Sequence, residues 1–375
     1  WAEPAEGGET STEPQTVTTT EEETTATDET PEDTTMYVAQ IGDEQYETLE
    51  VAFNEATTGT VIELLSDVEV TGINVTDKTI ILNIGTHTIT AADPDETNAI
   101  FKVTGSGNLT VIGSGSIVND NATANYHAFR VAEGGALTIG EGVTVTANQC
   151  CVFIRDDGDG STSLTTSGNL TSATTYTISG NGLDKGSTTV TIAGGSVSAT
   201  NEDGFAIYQP QSGTLNITGG TITADNPIGI KSGALNISGG SIQATGTYYE
   251  VVNTYGDGIN PSGSAITIDS NSAYAGGVRI NITGGTISSE NSPAVREVGP
   301  ANEQLVSIGV SENAVLQSGE NGTSDIEITN DKTDGSKATV EGGSFSKNIP
   351  EKYVKDADLL VVQADGGAYT VGETA

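Results

Sequence analysis

The feature of this sequence that most constrains its fold is a repeat centred on pairs of glycine. One template (apolar, polar, apolar, polar, Gly-Gly, polar, apolar, polar, small) occurs at 189–199, 215–224, 235–244 and 280–289. The glycine pairs that begin at Gly194, Gly219 and Gly239 are separated by 25 and then 20 residues. A fixed period of this length with short strands is the signature of a solenoid, in which each repeat packs on the next.

Alternation within each copy predicts which side chains face the core. Leu215 and Ile217 point inward before the Gly-Gly bend, and Ile222 points inward after it. A further short strand precedes each copy, as at 204–208 and 228–231. Three short strands per period predict an all-β, right-handed parallel β-helix over 71–344.

Three other folds fit the pattern less well. A leucine-rich horseshoe needs a longer consensus of Leu and Asn, and a calcium-binding roll needs repeated GGxGxDxUx units. Neither pattern occurs in the sequence. A β-sandwich has no reason to repeat itself at a fixed period.

The segments that flank the repeat differ from it. Residues 36–70 predict an N-terminal cap, with strands on either side of a helix over 46–57 whose apolar residues recur at i, i+3 and i+4. Residues 345–375 predict a C-terminal cap with a hairpin that turns at Asp365-Gly366-Gly367. Residues 1–35 contain 11 acidic residues, 12 Thr and no Lys or Arg. This composition predicts a disordered acidic linker.

Charge and composition exclude several classes of protein. The net charge is −38, with 51 acidic and 13 basic residues, so a nucleic-acid partner or an anionic lipid surface is not expected. A run of about 18 apolar residues is lacking, so the sequence predicts no membrane insertion. The two cysteines are adjacent, Cys150 and Cys151, and are expected to be reduced, one facing inward and one outward.

Three stretches carry a resemblance to a known group of proteins. Residues 37–70 resemble the opening segment, 81–90 the first rung and 342–372 the closing segment of surface-protein modules of gut Firmicutes with a pectin-lyase-like β-helix. The resemblance implies an adhesin-like protein, secreted to the bacterial cell surface. It carries no set of catalytic residues with it.

One acidic cluster is the candidate site for catalysis or metal binding. In "RDDGDGS" (155–161), Asp156, Asp157 and Asp159 are hard oxygen donors suited to Ca²⁺, although the distal Glu of an EF-hand loop is lacking. A solvated turn is the simpler interpretation, so no cofactor is expected, with Ca²⁺ as the alternative. Glycoside hydrolysis needs two carboxylates ~5–9 Å apart. The candidate acids for an enzyme adjoin the same short strand of their rungs and are Asp156, Asp157, Asp203 and Asp257.

A second set of residues is the candidate for ligand binding. The residue after the last inward apolar position of each upstream strand forms a predicted outward ladder, at steps of ~4.8 Å, of Arg155, Tyr208, Lys231 and Asn260. An enlarged loop adds Tyr248, Tyr249 and Tyr255. Aromatic faces stack on sugars while polar groups bond to hydroxyls. The alternative is that these are ordinary surface residues, with the tyrosines packed on the rung below.

These patterns favour a non-enzymatic, adhesin-like extracellular module that binds glycans on an outer β-helix face. Its expected partners are host or dietary glycans or a surface protein. The first alternative is a polysaccharide lyase or glycoside hydrolase acting on an acidic or neutral polysaccharide. The second is a structural spacer without a ligand. His87 and His127 have no Ser or Cys partner at a motif spacing, so a hydrolase triad is not expected.

Overall fold

The computed structural model describes most of the chain from Met36 onward: residues 36–92, 98–122, 125–156, 158, 161–174, 176–182, 186–250, 258–269, 274, 276–298, 306–328, 337–356, 359–364 and 367–373. The chain divides into two compact units, Trp1–Met36 and Tyr37–Ala375. The linker predicted over 1–35 lies outside the described residues. The second unit contains every element given below.

The second unit is built almost entirely from short strands. One α-helix, α1, spans Leu49–Glu55, and a 3₁₀ helix spans Glu351–Tyr353. The strands are, in chain order, β1 (Ala39–Ile41), β2 (Glu44–Tyr46), β3 (Thr60–Leu64), β4 (Val68–Val70), β5 (Ile73–Thr76), β6 (Thr79–Asn83), β7 (Thr88–Ala91), β8 (Ala99–Thr104), β9 (Asn108–Ile112), β10 (Ser116–Asn119), β11 (His127–Val131), β12 (Ala136–Ile139), β13 (Thr144–Ala147), β14 (Val152–Ile154), β15 (Ser161–Thr166), β16 (Asn169–Ser172), β17 (Tyr176–Ser179), β18 (Ser187–Ile192), β19 (Ser196–Ala199), β20 (Phe205–Gln209), β21 (Gly213–Ile217), β22 (Thr221–Ala224), β23 (Asn226–Ile230), β24 (Gly233–Ile237), β25 (Ser241–Ala244), β26 (Ile266–Asp269), β27 (Val278–Ile282), β28 (Thr286–Ser289), β29 (Val295–Val298), β30 (Val306–Val310), β31 (Val315–Gln317), β32 (Ile326–Glu327), β33 (Lys337–Val340), β34 (Ser344–Phe345), β35 (Leu359–Gln363) and β36 (Tyr369–Glu373).

These strands form three long sheets, and from β3 to β34 every third strand belongs to the same sheet. Sheet A has the order β2-β1-β3-β6-β9-β12-β15-β18-β21-β24-β27-β30-β33, and sheet C has the order β5-β8-β11-β14-β17-β20-β23-β26-β29-β32. Sheet B has the order β4-β7-β10-β13-β16-β19-β22-β25-β28-β31-β34-β36-β35. Pairing is parallel except at the terminal hairpins. The predicted right-handed parallel β-helix, with a helix at its start and a hairpin at its end, is confirmed.

The core consists of rows of aliphatic side chains that stack from rung to rung. Leu215, Ile217 and Ile222 all face inward, as the alternation predicts, and all are fully buried. The parallel register places Leu215 beside Leu235 and Ile222 beside Ile242. Each such residue contributes about 1.5–3 kcal/mol of hydrophobic stabilisation, so the repeated template supplies the same core contact at every rung.

The Gly-Gly pair forms the corner between sheets A and B. Gly220 has a φ of +78°, in the left-handed region that glycine tolerates best. A Cβ at this position would lie 2.6 Å from the carbonyl oxygen of Gly194 on the rung below. Stacked corners at the spacing of adjacent strands therefore require glycine both for its dihedral angles and for the space.

The N-terminal end of the solenoid is covered by α1. Thr48 caps the helix, since its hydroxyl accepts a hydrogen bond from the Val51 N–H at 3.2 Å. The buried face carries Leu49, Ala52 and Phe53. The helix predicted over 46–57 is shorter in the structure, because Tyr46 belongs to β2, which pairs with β1 in an antiparallel hairpin. Across the described stretches of the chain, no helix is long and apolar enough to cross a membrane.

The C-terminal end is covered by a hairpin that extends sheet B. Strands β35 and β36 pair antiparallel, and β36 also pairs with β34, where Ser344 lies opposite Thr370. The Gly367 N–H donates to the Ala364 carbonyl at 3.1 Å across the turn. The predicted turn residues Asp365 and Gly366 lie outside the described residues.

Candidate functional site

The predicted outward ladder of binding residues is wrong in register at Tyr208 and at Asn260, which precedes β26 instead of lying at its end. Tyr208 pairs with Gly229 on the neighbouring strand. Lys231 lies two positions after Gly229, and its N–H donates to the Gln209 carbonyl. The prediction aligned the strands on their last inward apolar residue. In β20 the last inward position is polar, because Gln209 is buried and its side-chain amide donates to the Gln211 carbonyl at 3.0 Å. A polar residue in the core row therefore displaced the alignment by two residues.

Tyr208 and Lys231 are packed under other parts of the chain. Lys231 is 1% exposed, and its Nζ lies 3.2 Å from Asp269 Oδ2 and 4.4 Å from the centre of the Tyr274 ring. Tyr208 is 7% exposed and stacks on Tyr176, with ring centres 4.8 Å apart. Burial, followed by the neighbouring Tyr274, raises the pKa of Tyr208. Both side chains therefore hold the chain together on the outer side of sheet C.

The first part of the loop after β25 is held against sheet C by similar contacts. Arg296 donates from Nη1 to the Tyr249 carbonyl at 2.7 Å and from Nη2 to the Tyr248 hydroxyl at 3.2 Å. Its guanidinium carbon also lies 4.5 Å from the centre of the Tyr248 ring. The Tyr249 hydroxyl donates to Asp203 Oδ1, and this hydrogen bond is the main cause that raises the pKa of Tyr249. The sequence does not single out Arg296, although a charged pair between valines in "VREV" is a signal for a strand that buries charge.

The other predicted binding residues are placed separately. Arg155 and Asn260 are half-buried, and each has partners within the protein. Tyr255 lies outside the described residues. The binding role of all seven residues stays a prediction, but Tyr208, Lys231 and both described loop tyrosines already have structural contacts.

The candidate carboxylates are not brought together by the fold. Asp156 follows β14 and Asp203 precedes β20, so they lie at opposite ends of the strands of sheet C, on the order of 17 Å apart along the strand direction. Asp156 is 1% exposed, and its Oδ1 accepts a hydrogen bond from the Gly158 N–H at 3.2 Å. Asp157, Asp159 and Asp257 lie outside the described residues. Among residues that the structure describes, no group of three His, Cys, Asp or Glu side chains is arranged to hold a metal ion.

The cysteines and His127 are buried. Cys150 and Cys151 are both buried, and burial raises the pKa of the Cys150 thiol to about 12. Both residues precede β14, so strand alternation does not set their directions, and Cys151 packs in the hydrophobic core. His127 stacks on Phe153 with ring centres 4.9 Å apart, and burial lowers its pKa to about 4, with a smaller effect from Arg130.

The outer side of sheet B is chemically different from that of sheet C. From β7 to β31 its outward positions form two rows that run from rung to rung, with a spacing of ~4.8 Å along each row and about 7 Å between rows. Thirteen of these eighteen positions are Thr or Ser, and none is charged. We call this surface the hydroxyl face; its first row is Thr88, Ser116, Thr144, Asn169, Ser196, Thr221, Ser241, Thr286 and Val315, and its second row is Thr90, Val118, Thr146, Thr171, Ser198, Thr223, Gln243, Ser288 and Gln317.

Side chains of the hydroxyl face bond to one another along the rows. The hydroxyls of Thr171 and Ser198 are 2.9 Å apart, and the Ser196 hydroxyl donates to Asn169 Oδ1 at 3.0 Å. These bonds join neighbouring rungs of the same row. They restrict the side-chain rotamers, so the polar groups are held in a regular array.

A groove of about 420 Å³ follows the second row on the side toward sheet C. Its lining comes from four consecutive rungs, those of β10, β13, β16 and β19, and consists of Val118, Asn119, Asp120, Thr146, Ala147, Asn148, Thr171, Ser172, Ala173 and Thr200. The corner residues stack in register: the Asn148 N–H donates to the Asn119 carbonyl at 2.7 Å, and the Ala173 N–H to the Ala147 carbonyl at 3.0 Å. The groove therefore runs parallel to the solenoid axis for about 14 Å, three rung spacings.

The groove combines apolar and polar walls. Val118, Ala147 and Ala173 provide apolar surface, and Asp120 is the charged member of the described lining residues. Asn119 is buried; its amide donates to the Tyr126 carbonyl at 3.0 Å and its Oδ1 accepts from the Asn121 N–H at 3.2 Å. These bonds fix the corner that forms one wall. The sequence does not single out this surface, because each member is an ordinary residue of the repeat. Its one signal is the recurrence of "TVT", "SVS" and "TIT" after the glycines.

Comparisons of this chain with protein families, with curated proteins and with solved structures find no match. The fold class accordingly rests on the strand order and register described above. The resemblance to surface modules of gut Firmicutes stays a prediction.

Proposed function

We propose that this protein is a non-enzymatic module that binds neutral polysaccharide on the hydroxyl face and in its groove. In keeping with the sequence resemblance, we place it in an adhesin-like role at a bacterial cell surface. The observation that carries the proposal is an uncharged, regularly hydroxylated face on a chain with a net charge of −38.

Charge decides which class of glycan fits. The acidic chain repels uronic acids, sialic acids and sulfated sugars over the range of the screened field. A neutral sugar meets no such repulsion, and its hydroxyls can donate to and accept from Thr and Ser. Each well-placed hydrogen bond contributes about 0.5–1.5 kcal/mol net, so a chain that contacts several rungs gains affinity by repetition.

The groove supplies contacts that hydroxyls alone do not. A sugar ring has apolar C–H faces, which can pack against Val118, Ala147 and Ala173. Asn148 and Thr200 lie at its polar margin. Apolar surface with a few converging polar groups is the usual composition of a small-molecule site.

The proposed site favours binding over catalysis. Hydrolysis of a glycosidic bond by the usual route needs two carboxyl groups on opposite sides of the bond. Asp120 is the carboxylate among the described lining residues of the groove. A single exposed carboxylate can accept a hydrogen bond from a sugar hydroxyl, and this is the role that we assign to it.

Retention on insoluble polysaccharide tests the proposal. The protein is mixed with cellulose, chitin, mannan and starch granules, and separately with immobilised pectin and alginate, and the bound fraction is measured. The test variant is Thr146→Glu with Thr171→Glu, which places two charges side by side in the groove. The control is Thr138→Glu with Thr165→Glu, an equivalent pair on the outer side of sheet A in the same two rungs.

We expect retention on at least one neutral polymer, a loss of at least tenfold in the sheet B variant and little change in the control. Equal retention of both variants would show that binding occurs elsewhere. Release of soluble sugar would favour the glycoside hydrolase or lyase alternative. Failure to bind any neutral polymer would favour the spacer.

A further inference from the structure

The enlarged repeat does not interrupt the pairing of the strands that carry the hydroxyl face. Between β24 and β27, residues 245–265 precede the sheet C strand β26 and residues 270–277 follow it. The strands of sheet B on either side of this insertion nevertheless pair directly, with Ser241 beside Thr286 and Ile242 beside Ile287. The rows of the hydroxyl face therefore continue across the insertion without a gap.

The groove has the same axial direction as these rows. Its four rungs present second-row residues in register, with Val118 beside Thr146 and Thr146 beside Thr171. Across the axis the face is only two outward residues wide, and the Gly-Gly corner ends it on the side away from the groove. A polymer that crosses the face meets two contacts, whereas a polymer that follows it meets the same contact at every rung.

From these observations we infer that the ligand is an unbranched, neutral polysaccharide that lies parallel to the solenoid axis, with about one sugar unit per rung. This inference rests on the proposed function and specifies its substrate class. Equivalent contacts repeated at a fixed spacing act as linked binding sites, so affinity grows with the number of units that are engaged together.

The wall of the groove accounts for the preference for unbranched chains. Ala147 is buried and Ala173 is exposed at the corner, and both lie against the side of a chain placed on the second row. A substituent that points toward this wall meets packed backbone, because each corner is hydrogen-bonded to the one below. Linear chains avoid this overlap.

The experiment measures binding of neutral oligosaccharides of increasing length. The probes are β-1,4-linked glucose, mannose and xylose oligomers of two to eight units, titrated by calorimetry or by NMR against the intact protein. For a series that binds, we expect the Kd to fall roughly two- to tenfold for each added unit. The fall should become smaller beyond about four units, the length of the groove.

Three variants locate the contact along the axis. Thr171→Glu, within the groove, should abolish the dependence on length. Thr223→Glu lies one rung past the groove and should weaken binding of oligomers longer than four units more than it weakens binding of the tetramer. Thr165→Glu on sheet A, in the same rung as Thr171, is the control and should bind as the wild-type protein does. Far-UV circular dichroism and the Tm of each variant check that it is folded.

The outcomes separate this inference from the proposed function. A Kd that does not change with length, or tighter binding of a branched oligomer than of a linear one, would overturn axial recognition while leaving glycan binding intact. Retention on cellulose or mannan together with no binding of the corresponding oligomer series would also overturn it. Absence of binding to every polymer and oligomer would overturn both.

Discussion

The outer sides of sheets B and C are made by the same rungs, yet they differ in almost every property. The hydroxyl face on sheet B repeats Thr and Ser without a charge, and its rows continue in register past the enlarged repeat. Sheet C presents a mixed row in which Arg130 lies between Lys102 and Phe153, and Arg296 beside Glu327. Those residues lie beside aromatic rings and inserted loops that pack on sheet C.

This contrast shows which residues are available for a ligand. In a chain with 13 basic residues, Lys231 and Arg296 stand out in the sequence, but both are buried in contacts with tyrosines and carboxylates. The exposed array consists of residues that no compositional test would select. In this solenoid the rare basic residues Lys231 and Arg296 bind neighbouring segments of the chain, and the common Thr and Ser residues form the exposed surface.

The largest expected effect is on the sheet C side, from Lys231→Met. The substitution keeps the apolar stem but leaves the buried Asp269 carboxylate without its cation. Breaking a buried pair from one side costs about 3–5 kcal/mol. We expect a loss of this size in the free energy of unfolding, measured by urea denaturation, with faster hydrogen exchange in β23 and β26.

The double variant Lys231→Met with Asp269→Leu is the control for this prediction. Replacing both partners by apolar residues of similar size is often neutral, so it should recover most of the loss. A single variant as stable as the wild-type protein would mean that the outer side of sheet C does not depend on this pair.

The second effect is a dependence of stability on pH that originates at His127. Its folded pKa is about 4, below the ordinary value of 6.5, so the unfolded chain binds the extra proton between these two values. The stabilisation from the neutral imidazole is complete above pH 6.5 and is lost as the pH falls toward 4. This difference between the folded and ordinary pKa corresponds to about 3 kcal/mol in the free energy of unfolding.

Comparison with His127→Phe isolates this contribution. Phenylalanine keeps the stack on Phe153 and cannot titrate, so the difference in unfolding free energy between the two proteins should change by that amount between pH 7 and pH 4. Carboxylates elsewhere affect both proteins equally. Parallel pH curves would contradict the prediction.

The sequence predicts the architecture of this molecule better than its surfaces. The inward positions of Leu215, Ile217 and Ile222 follow from alternation alone, because strand geometry leaves them no other side. The register of sheet C does not follow from alternation, since the buried Gln209 occupies a core position that apolar patterning cannot recognise. A single buried polar residue therefore displaced Tyr208 by two positions from its place in the predicted ladder.

The candidate site could not be predicted from the sequence for a related reason. Thr146 and Thr171 become neighbours only when 25 residues of chain complete a rung, and the groove beside them depends on how corners stack. Outward Thr and Ser occur on sheet A as well as on sheet B, so the pattern alone does not choose between the two faces. The choice comes from the charges, since Arg279 lies on the outer side of sheet A, and from the groove beside sheet B.

A third, smaller effect is expected at the corner that keeps sheet B in register. Gly220→Ala puts a side chain at a φ of +78° and at 2.6 Å from a backbone oxygen, so the corner must shift. We expect a loss of roughly 1–3 kcal/mol, measured by thermal unfolding. Gly59→Ala, at a φ of +90° with no atom within 4 Å of the new Cβ, carries the dihedral strain without the crowding and should lose less. Equal losses would mean that stacking at the corner does not require the space that glycine leaves.

The smallest effect on stability is expected on the hydroxyl face itself, from Thr223→Val. The residue is half-buried and points outward, and the two side chains have nearly the same volume, so the free energy of unfolding should change by no more than about 0.5 kcal/mol. Binding of a long neutral polysaccharide should nevertheless weaken, since one rung loses its hydroxyl while the axial path remains open. Urea denaturation and retention on the polymer, measured on the same preparation, check the two parts. A variant that loses stability without losing retention would make this row a structural feature like the contacts on sheet C, and the contrast between the two faces would then be one of composition alone.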